Sequence, residues 1–306
     1  MKTILITGGA GFIASHIQDA YISLGHEVAV MDNLVTGNKK NLNPKAKFYE
    51  LDITSPGVLE IFQTFKPDLV SHHAAQMDVR KSVSDPTYDA QVNVLGFINL
   101  LEAARKVGTK KFVFSSTGGA IYGEQEYFPA DEKHPKNPAS PYGLTKFVGE
   151  EYLKLYERLY GIQHTILRYA NIYGPRQNPH GEAGVVAIFC QKLLKGESPI
   201  INGDGKQTRD YVFVEDVVRA NVAVLDEKIT GVFNVGTGIE SDVNDLAKVL
   251  GKLSGKENFE HGPSKAGEQR RSVITAALAE KTFGWKPKVK LEEGLEKTFQ
   301  WFKEAK

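Results

Sequence analysis

One cysteine, Cys190, stands among 306 residues, so neither an internal disulfide nor a cysteine metal cluster can be built. Set in the apolar stretch VVAIFC, it reads as a buried small hydrophobe in a reducing compartment. A surplus of one charge is missing too: 38 Lys+Arg against 37 Asp+Glu leave a formal +1. No generic attraction therefore draws the chain to nucleic acid or to an anionic membrane, and an anion must be captured by a local site. No apolar run approaches the ~20 residues of a membrane helix. Met1-Lys2 followed by TILITGG is too short, and too soon broken by glycine, for a signal peptide. A cytoplasmic protein is expected. Internal repeats, low-complexity tracts and inter-domain linkers are also lacking. With 41% hydrophobic and 25% charged residues, the remainder has the balance of an ordinary folded chain.

What is present is an alternation. Thr3–Ile6 is an apolar run ending at Gly8-Gly9, a helix-period stretch follows over Phe12–Leu24, and Glu27–Met31 is apolar again. A buried strand, glycine turn, amphipathic helix and second strand make a βαβ unit. The pattern continues with strands expected at Lys47–Leu51, Asp68–His73, Lys111–Ser115 and His164–Arg168. Helices are expected at Pro56–Phe65, Pro86–Val107 and Tyr142–Tyr160. This predicts an α/β fold, a Rossmann-type doubly wound parallel sheet covered on both faces. After Arg168 the regularity breaks at NIYGPRQNPHGEAG, which reads as a functional loop. Helices Val185–Leu194, Asp216–Leu225, Val243–Leu253 and Glu292–Lys303 follow, with strands Tyr211–Val214 and Val232–Val235. The expected division is a dinucleotide-binding domain over 1–168 with a returning segment at about 211–238. The rest of 169–306 forms a smaller α/β substrate lobe.

Gly8, Gly9 and Gly11 fall between the first strand and helix. Such a turn needs positive φ and must let a pyrophosphate approach the backbone, and glycine meets both demands. The free N–H groups at the helix start, from Phe12 and Ile13, are then aimed at the anion. Asp32, at the end of the second strand, is placed to accept hydrogen bonds from the adenosine ribose and to repel a 2′-phosphate, favouring NAD. Asn33 is beside it, and Asp52 with Ile53 ends the third strand, positioned for adenine.

Tyr142 and Lys146 lie on one helix face in YGLTK. A free tyrosine has a pKa of about 10, too high for a base near neutral pH. A neighbouring ammonium favours the phenolate and lowers that value. Ser115, Ser116 and Thr117, in SSTGGAIYG, stand at the carboxyl end of a strand, where such sheets hold ligands.

Taken with VSHHAAQ, LRYANIYGPR and TRDYVFVED, these segments resemble the extended short-chain dehydrogenase/reductases, and among them the nucleotide-sugar 4-epimerases. The resemblance runs from Lys2 to WKPKVKLEEGL. It implies NAD as cofactor, Tyr142 as catalytic base and acid, and Lys146 as its pKa-lowering partner and nicotinamide-ribose ligand. Thr117 takes the hydroxyl role, although the extra glycine in SSTGGAIYG keeps Ser116 as an alternative. Ala74, Ala75, Gln76, Asn93, Ser115 and Tyr169 are implied as cofactor contacts. Asn171 and Arg209 are implied as ligands of a UDP-sugar diphosphate. The late substrate motif departs from the usual arginine-x-glycine-aspartate: here it is Lys265-Ala266-Gly267-Glu268, so phosphate pairing is expected to shift to Arg270. Ser272 takes the place of a bulky tyrosine and leaves space for an N-acetyl group on the sugar. The implied reaction inverts C4 of UDP-glucose or UDP-galactose through a 4-keto sugar, with UDP-GlcNAc tolerated. A homodimer is implied through Pro86–Val107 and Tyr142–Tyr160.

A UDP-glucuronate 4-epimerase, or a dehydratase or reductase of the same superfamily, is the nearest alternative. Gly118 and Gly119 stand where dehydratases carry an acidic pair. A non-catalytic NAD sensor is the rival of another class. No metal site is expected: adjacent His72 and His73 point to opposite faces of a strand. Asp131-Glu132 and Glu150-Glu151 are expected as solvated charges.

Overall fold

Residues 1–179, 184–256, 258–264 and 269–305 are described by the computed structural model. Lys265-Ala266-Gly267-Glu268 lies outside the described residues. Strands β1 (Thr3–Thr7), β2 (Glu27–Asp32), β3 (Lys47–Glu50), β4 (Leu69–His72), β5 (Lys111–Thr117) and β6 (Gln163–Tyr169) form where branched and aromatic residues cluster. Between them run α1 (Phe12–Ser23), α2 (Val58–Phe65), α3 (Val79–Ser84), α4 (Pro86–Ala90), α5 (Phe97–Val107) and α6 (Pro141–Tyr160). The second half adds β7 (Asn171–Tyr173), α7 (Val185–Leu194), β8 (Ile200–Asn202), β9 (Thr208–Phe213), α8 (Val214–Ala223) and β10 (Gly231–Val235). It closes with β11 (Glu240–Asp242), α9 (Val243–Ser254), β12 (Glu260–Gly262), β13 (Arg271–Ser272), α10 (Ala277–Phe283) and α11 (Leu291–Glu304).

The large sheet has the order β3-β2-β1-β4-β5-β6-β10, with every pair parallel. Strand order reverses between β1 and β4, which opens a crevice beyond their carboxyl ends. Ile4, Leu5 and Ile6 are wholly buried because helices cover both faces. Ile17 and Tyr21 of α1 meet Val217 and Ala220 of α8 on one face; Phe62, Leu100 and Leu153 pack the other. In the smaller sheet β9 is central, parallel to β7 and β13 and antiparallel to β11. A separate core of Phe189, Cys190, Phe213, Leu246 and Phe299 lies with it, and burial pushes the Cys190 thiol up to about 12, which makes it inert. Among the described residues no helix is long and apolar enough to cross a membrane.

Three segments differ from the sequence expectation. The helix over Pro86–Val107 is divided by a π-helical turn, Gln91–Gly96, between α4 and α5. The strand expected at Tyr211–Val214 starts at Thr208 and pairs in the smaller sheet, while Val214 opens α8. Glu215 and Asp216 in the first turn of α8 favour that helix start. What returns to the large sheet is therefore β10, with α8 against α1. Asn171–Tyr173, read as loop, is β7: three residues are too few to show a period.

Candidate active site

Gly8 has φ +71°, and a Cβ added there would lie 2.7 Å from the Ala74 amide nitrogen. A Cβ on Gly9 would lie 2.6 Å from Val30. A larger residue at Gly8 would need backbone movement, and one at Gly9 would have to displace the buried Val30 side chain. Gly8 N–H donates to the Met31 carbonyl (2.8 Å) and Gly11 N–H to that of Gly8 (3.0 Å), fixing the turn. Gly11 is the N-cap of α1 and supplies no side-chain cap. The first amides of that helix are thus open to an anion.

Asp32 faces this turn. Its buried carboxylate accepts from Ala10 N (2.9 Å) and Leu34 N (2.8 Å). Burial raises its pKa while those two bonds oppose the rise. Asn33 Nδ2 donates to Asp52 Oδ2 at 2.6 Å, and Asp52 Oδ1 accepts from Thr54 N at 2.8 Å. Ile53 is buried against Gly96, whose added Cβ would be 2.8 Å from it. A cradle closed to side chains, an open helix start and a buried acid at the end of β2 fit NAD. Gly8, Gly11, Phe12, Ile13 and Asp32 would hold its phosphates and ribose.

Two of the expected cofactor contacts have their side chains in the core. The Phe12 ring packs into the core of the smaller lobe, leaving its backbone N–H to face an anion. The Tyr169 ring is buried between sheet and α8, and its hydroxyl meets the Asn221 side chain, whose Nδ2 donates to it at 2.9 Å. Only the Tyr169 backbone faces the strand ends, where its carbonyl accepts from Gly118 N at 2.7 Å. Sequence spacing cannot tell which side of β6 a ring occupies once both sides are covered.

Ser140 caps α6, accepting from Gly143 N at 3.2 Å, and Pro141 takes the first helical position. Tyr142 and Lys146 therefore occupy the first two turns, on one face. An added Cβ on Gly143 would be 2.7 Å from the Ala120 carbonyl, so the start of α6 lies directly on the loop after Thr117. Lys146 is 4% exposed and its Nζ donates to the Ser115 carbonyl at 2.8 Å. Burial lowers its pKa to about 8, against the opposing pull of Asp89 and Glu150.

Behind this pair lies a network that the sequence did not signal. Gln76 N donates to Asn93 Oδ1 (2.8 Å), and Asn93 Nδ2 donates to the Gln76 carbonyl (2.8 Å). The fully buried Asp89 accepts from Gln76 Nε2 (2.9 Å), Asn93 Nδ2 (3.1 Å) and Thr145 Oγ1 (2.7 Å). Asn93 sits in the π turn, a distortion that recurs at functional sites. The available signal was position alone: Asp89 is one turn before Asn93, and Thr145 is next to Lys146.

Ser116 and Thr117 are separated by strand alternation. Ser116 Oγ donates to Glu150 at 2.6 Å and is buried. Thr117 Oγ1 and Asn171 Oδ1 lie 3.9 and 3.6 Å from the point where a Cβ on Gly119 would stand. These two side chains therefore converge on one space. Arg209 is on β9, in register with Ser272 of β13, and its NH1 donates to the Thr208 carbonyl at 2.8 Å. Ser272 is buried. Arg270 is exposed and pairs with Asp204 through two bonds of 2.9 Å.

Glu150 corrects an expectation. Instead of being solvated it is 0% exposed, bound by Arg168 through Nε (2.9 Å) and NH2 (2.5 Å). Arg168 NH1 also donates to the Tyr122 hydroxyl at 3.0 Å. Glu132 is likewise engaged, accepting from Asn234 N at 2.7 Å, and burial raises its pKa. Both carboxylates had to meet donors because an unpaired buried charge is too costly. His72 Nδ1 lies 2.7 Å from Thr7 Oγ1 with its ring stacked on Phe97, and His73 Nε2 lies 3.0 Å from Ser71 Oγ. Among the described residues no group of three or more His, Cys, Asp or Glu is placed to hold a metal ion.

A doubly wound parallel sheet with a glycine cradle, a buried acid and a Tyr–Lys helix start defines a dinucleotide-dependent α/β enzyme of the short-chain dehydrogenase/reductase type. Residues 4–236 match the model of the NAD dependent epimerase/dehydratase family, and the chain belongs to that family. It is 44% identical over 310 residues to a UDP-glucose 4-epimerase of Mycolicibacterium smegmatis, covering 99% of each chain. The structure of UDP-glucose 4-epimerase from Thermotoga maritima with UDP-glucose superposes with a TM-score of 0.97 at 48% identity, over 99% of both chains. That of UDP-N-acetylglucosamine 4-epimerase from Methanobrevibacter ruminantium, in complex with UDP-N-acetylmuramic acid, gives a TM-score of 0.94 at 33% identity, over 100% of this chain and 99% of that one.

Proposed function

We propose that this chain interconverts UDP-hexoses by inverting C4, removing the C4 hydrogen and returning it to the opposite face. The observation that carries the reading is the start of α6: Tyr142 and the buried Lys146, set against the Thr117 loop and beside the dinucleotide cradle. NAD, when bound, supplies a reversible acceptor for hydride. Tyr142 takes the proton from O4 and later gives it back, and Lys146 keeps the phenol acidic enough to do so. Thr117 orients O4. Asn171 and Arg209 hold the diphosphate while the 4-keto sugar turns over; the fixed donor fork of arginine suits that task. The large sheet with α8 and β10 forms the cofactor domain in this reading, and the smaller sheet forms the substrate lobe.

Gly118 supports epimerisation over elimination of water. A Cβ there would be 2.6 Å from Ile274 Cδ1, so an acidic side chain at that place would first have to displace the tip of Ile274. The small Ser272 supports acceptance of N-acetylated sugars. A stripe of Leu144, Val148, Leu155 and Leu159 on α6, with Leu144 and Leu159 exposed, supports a homodimer in which a second copy covers that helix. The lone buried Cys190 fits a cytoplasmic setting.

The test is incubation of the purified protein with UDP-glucose, UDP-galactose, UDP-GlcNAc and UDP-glucuronate without added NAD, with products resolved at C4. Conversion of UDP-galactose supports the reading. Conversion of the glucuronate alone favours the nearest alternative, and no conversion of any sugar overturns catalysis in favour of an NAD sensor. Absence of UDP-GlcNAc turnover overturns the role given to Ser272.

A further inference from the structure

We propose that Asp89 is a positioning residue for this reaction: its carboxylate joins the Gln76 loop, the Asn93 turn and the start of α6 into one unit and sets a negative charge facing Lys146. The inference rests on the epimerase reading but adds a residue that acts only through others.

Geometry carries it. Asp89 is 0% exposed and sits in α4, immediately before the π turn. Its three donors come from three different elements: Gln76 from the loop after β4, Asn93 from the π turn, and Thr145 from α6. Thr145 separates Tyr142 from Lys146 and also donates to the Tyr142 carbonyl at 3.1 Å. A shift of Asp89 would therefore rotate the turn that carries both groups. The π turn also reaches α6 directly, Asn93 Nδ2 donating to Thr145 Oγ1 at 3.2 Å, so Thr145 is where the network meets α6, and the shorter of its two ties there is the one to Asp89.

All three donors are neutral, so the Asp89 charge is not cancelled by them. Glu150, the other acid near Lys146, is neutralised by Arg168. The remaining titratable groups facing Lys146 are Tyr142, its partner in the proposed reaction, and His72 and His73, at and just after the end of β4, whose pKa values burial lowers. Among the described residues Asp89 is thus the carboxylate without a cationic partner that opposes the lowering of the Lys146 pKa by burial.

The test uses the full-length protein with its NAD, comparing Asp89→Asn, Thr145→Val and Thr145→Ser with the unaltered chain. Lys146 Nζ is followed against pH by nitrogen-15 NMR and assigned through Lys146→Met; kcat and KM for the UDP-hexose are measured in parallel. In Asp89→Asn the Lys146 amine is expected to titrate about one pH unit lower. The alkaline limb of the kcat profile is expected to move with it, while KM stays within about twofold. Thr145→Val is expected to lose about tenfold in kcat with the amine titration unmoved, and Thr145→Ser to restore the rate. A folded Asp89→Asn protein whose Lys146 titrates as before overturns the charge role, whatever its rate. Unchanged kcat in Thr145→Val overturns the positioning role, and that arm stands even where Asp89→Asn does not fold. If the unaltered protein converts no UDP-hexose, the epimerase reading fails while the NMR titration still decides the fate of Asp89.

Discussion

Two buried charges one turn apart on α6 are treated in opposite ways. Glu150 is locked by two bonds from Arg168 and one from Ser116, all three between 2.5 and 2.9 Å. Lys146 is nearly as buried but bonds a neutral carbonyl, and burial drags its pKa to about 8. A cancelled charge cannot respond to a substrate, so the Glu150–Arg168 pair serves as scaffold. A charge left loosely compensated can change with what binds beside it, and in the proposed reaction that is what Lys146 offers Tyr142.

Replacing Tyr142 by Phe breaks the chemical side of the comparison and has the largest expected effect. Turnover should fall by about 10³-fold, with UDP binding, read by calorimetry, largely retained. A variant epimerising near the original rate would remove Tyr142 from its role. The matching strike on the scaffold is Glu150→Ala. It should cost about 3–5 kcal/mol in urea unfolding, because Arg168 is left buried and unpaired, while turnover per folded molecule changes little. A loss below about 1 kcal/mol would mean the pair is not structural.

Lys146→Met sharpens the contrast through pH. A lysine that titrates at about 8 when folded and about 10.4 when unfolded destabilises the fold while both states are protonated. Above 8 the folded state sheds a proton that the unfolded chain keeps, so stability is regained towards about 10. The Met variant should therefore melt higher, relative to the parent, at pH 7 than at pH 10, even though its turnover is greatly reduced. A melting difference independent of pH would contradict the shifted amine. The smallest effect is expected from Ser116→Ala: about 1–2 kcal/mol of stability and no change in kcat, whereas Thr117→Ala should slow turnover. Reversal of that order would return the hydroxyl role to Ser116.

The same contrast explains what could be read from the chain. The positions of Gly8, Gly11, Asp32, Tyr142 and Lys146 were legible because a tight turn demands glycine, and the end of a strand and the spacing along a helix fix where the others stand. The large sheet was legible through the alternation of apolar strands and periodic helices. Asp89 and Glu150 were not, because a buried carboxylate and a solvated one look alike until their partners are brought in from distant segments. Arg168 is 18 residues from Glu150, and Thr145 is 56 from Asp89. The π turn was hidden for a related reason: an inserted residue shifts the helical period by too little to see in one chain. The place of the Tyr169 ring in the core was not legible, because β6 is covered on both faces and alternation alone does not tell core from cleft.

The central claim is that the hydrogen on C4 never leaves the site, while the proton on O4 passes through Tyr142. UDP-galactose deuterated at C4, converted in ordinary water, tests it most directly. Deuterium found intact at C4 of the UDP-glucose product is the expected result; its replacement by solvent hydrogen would contradict the account.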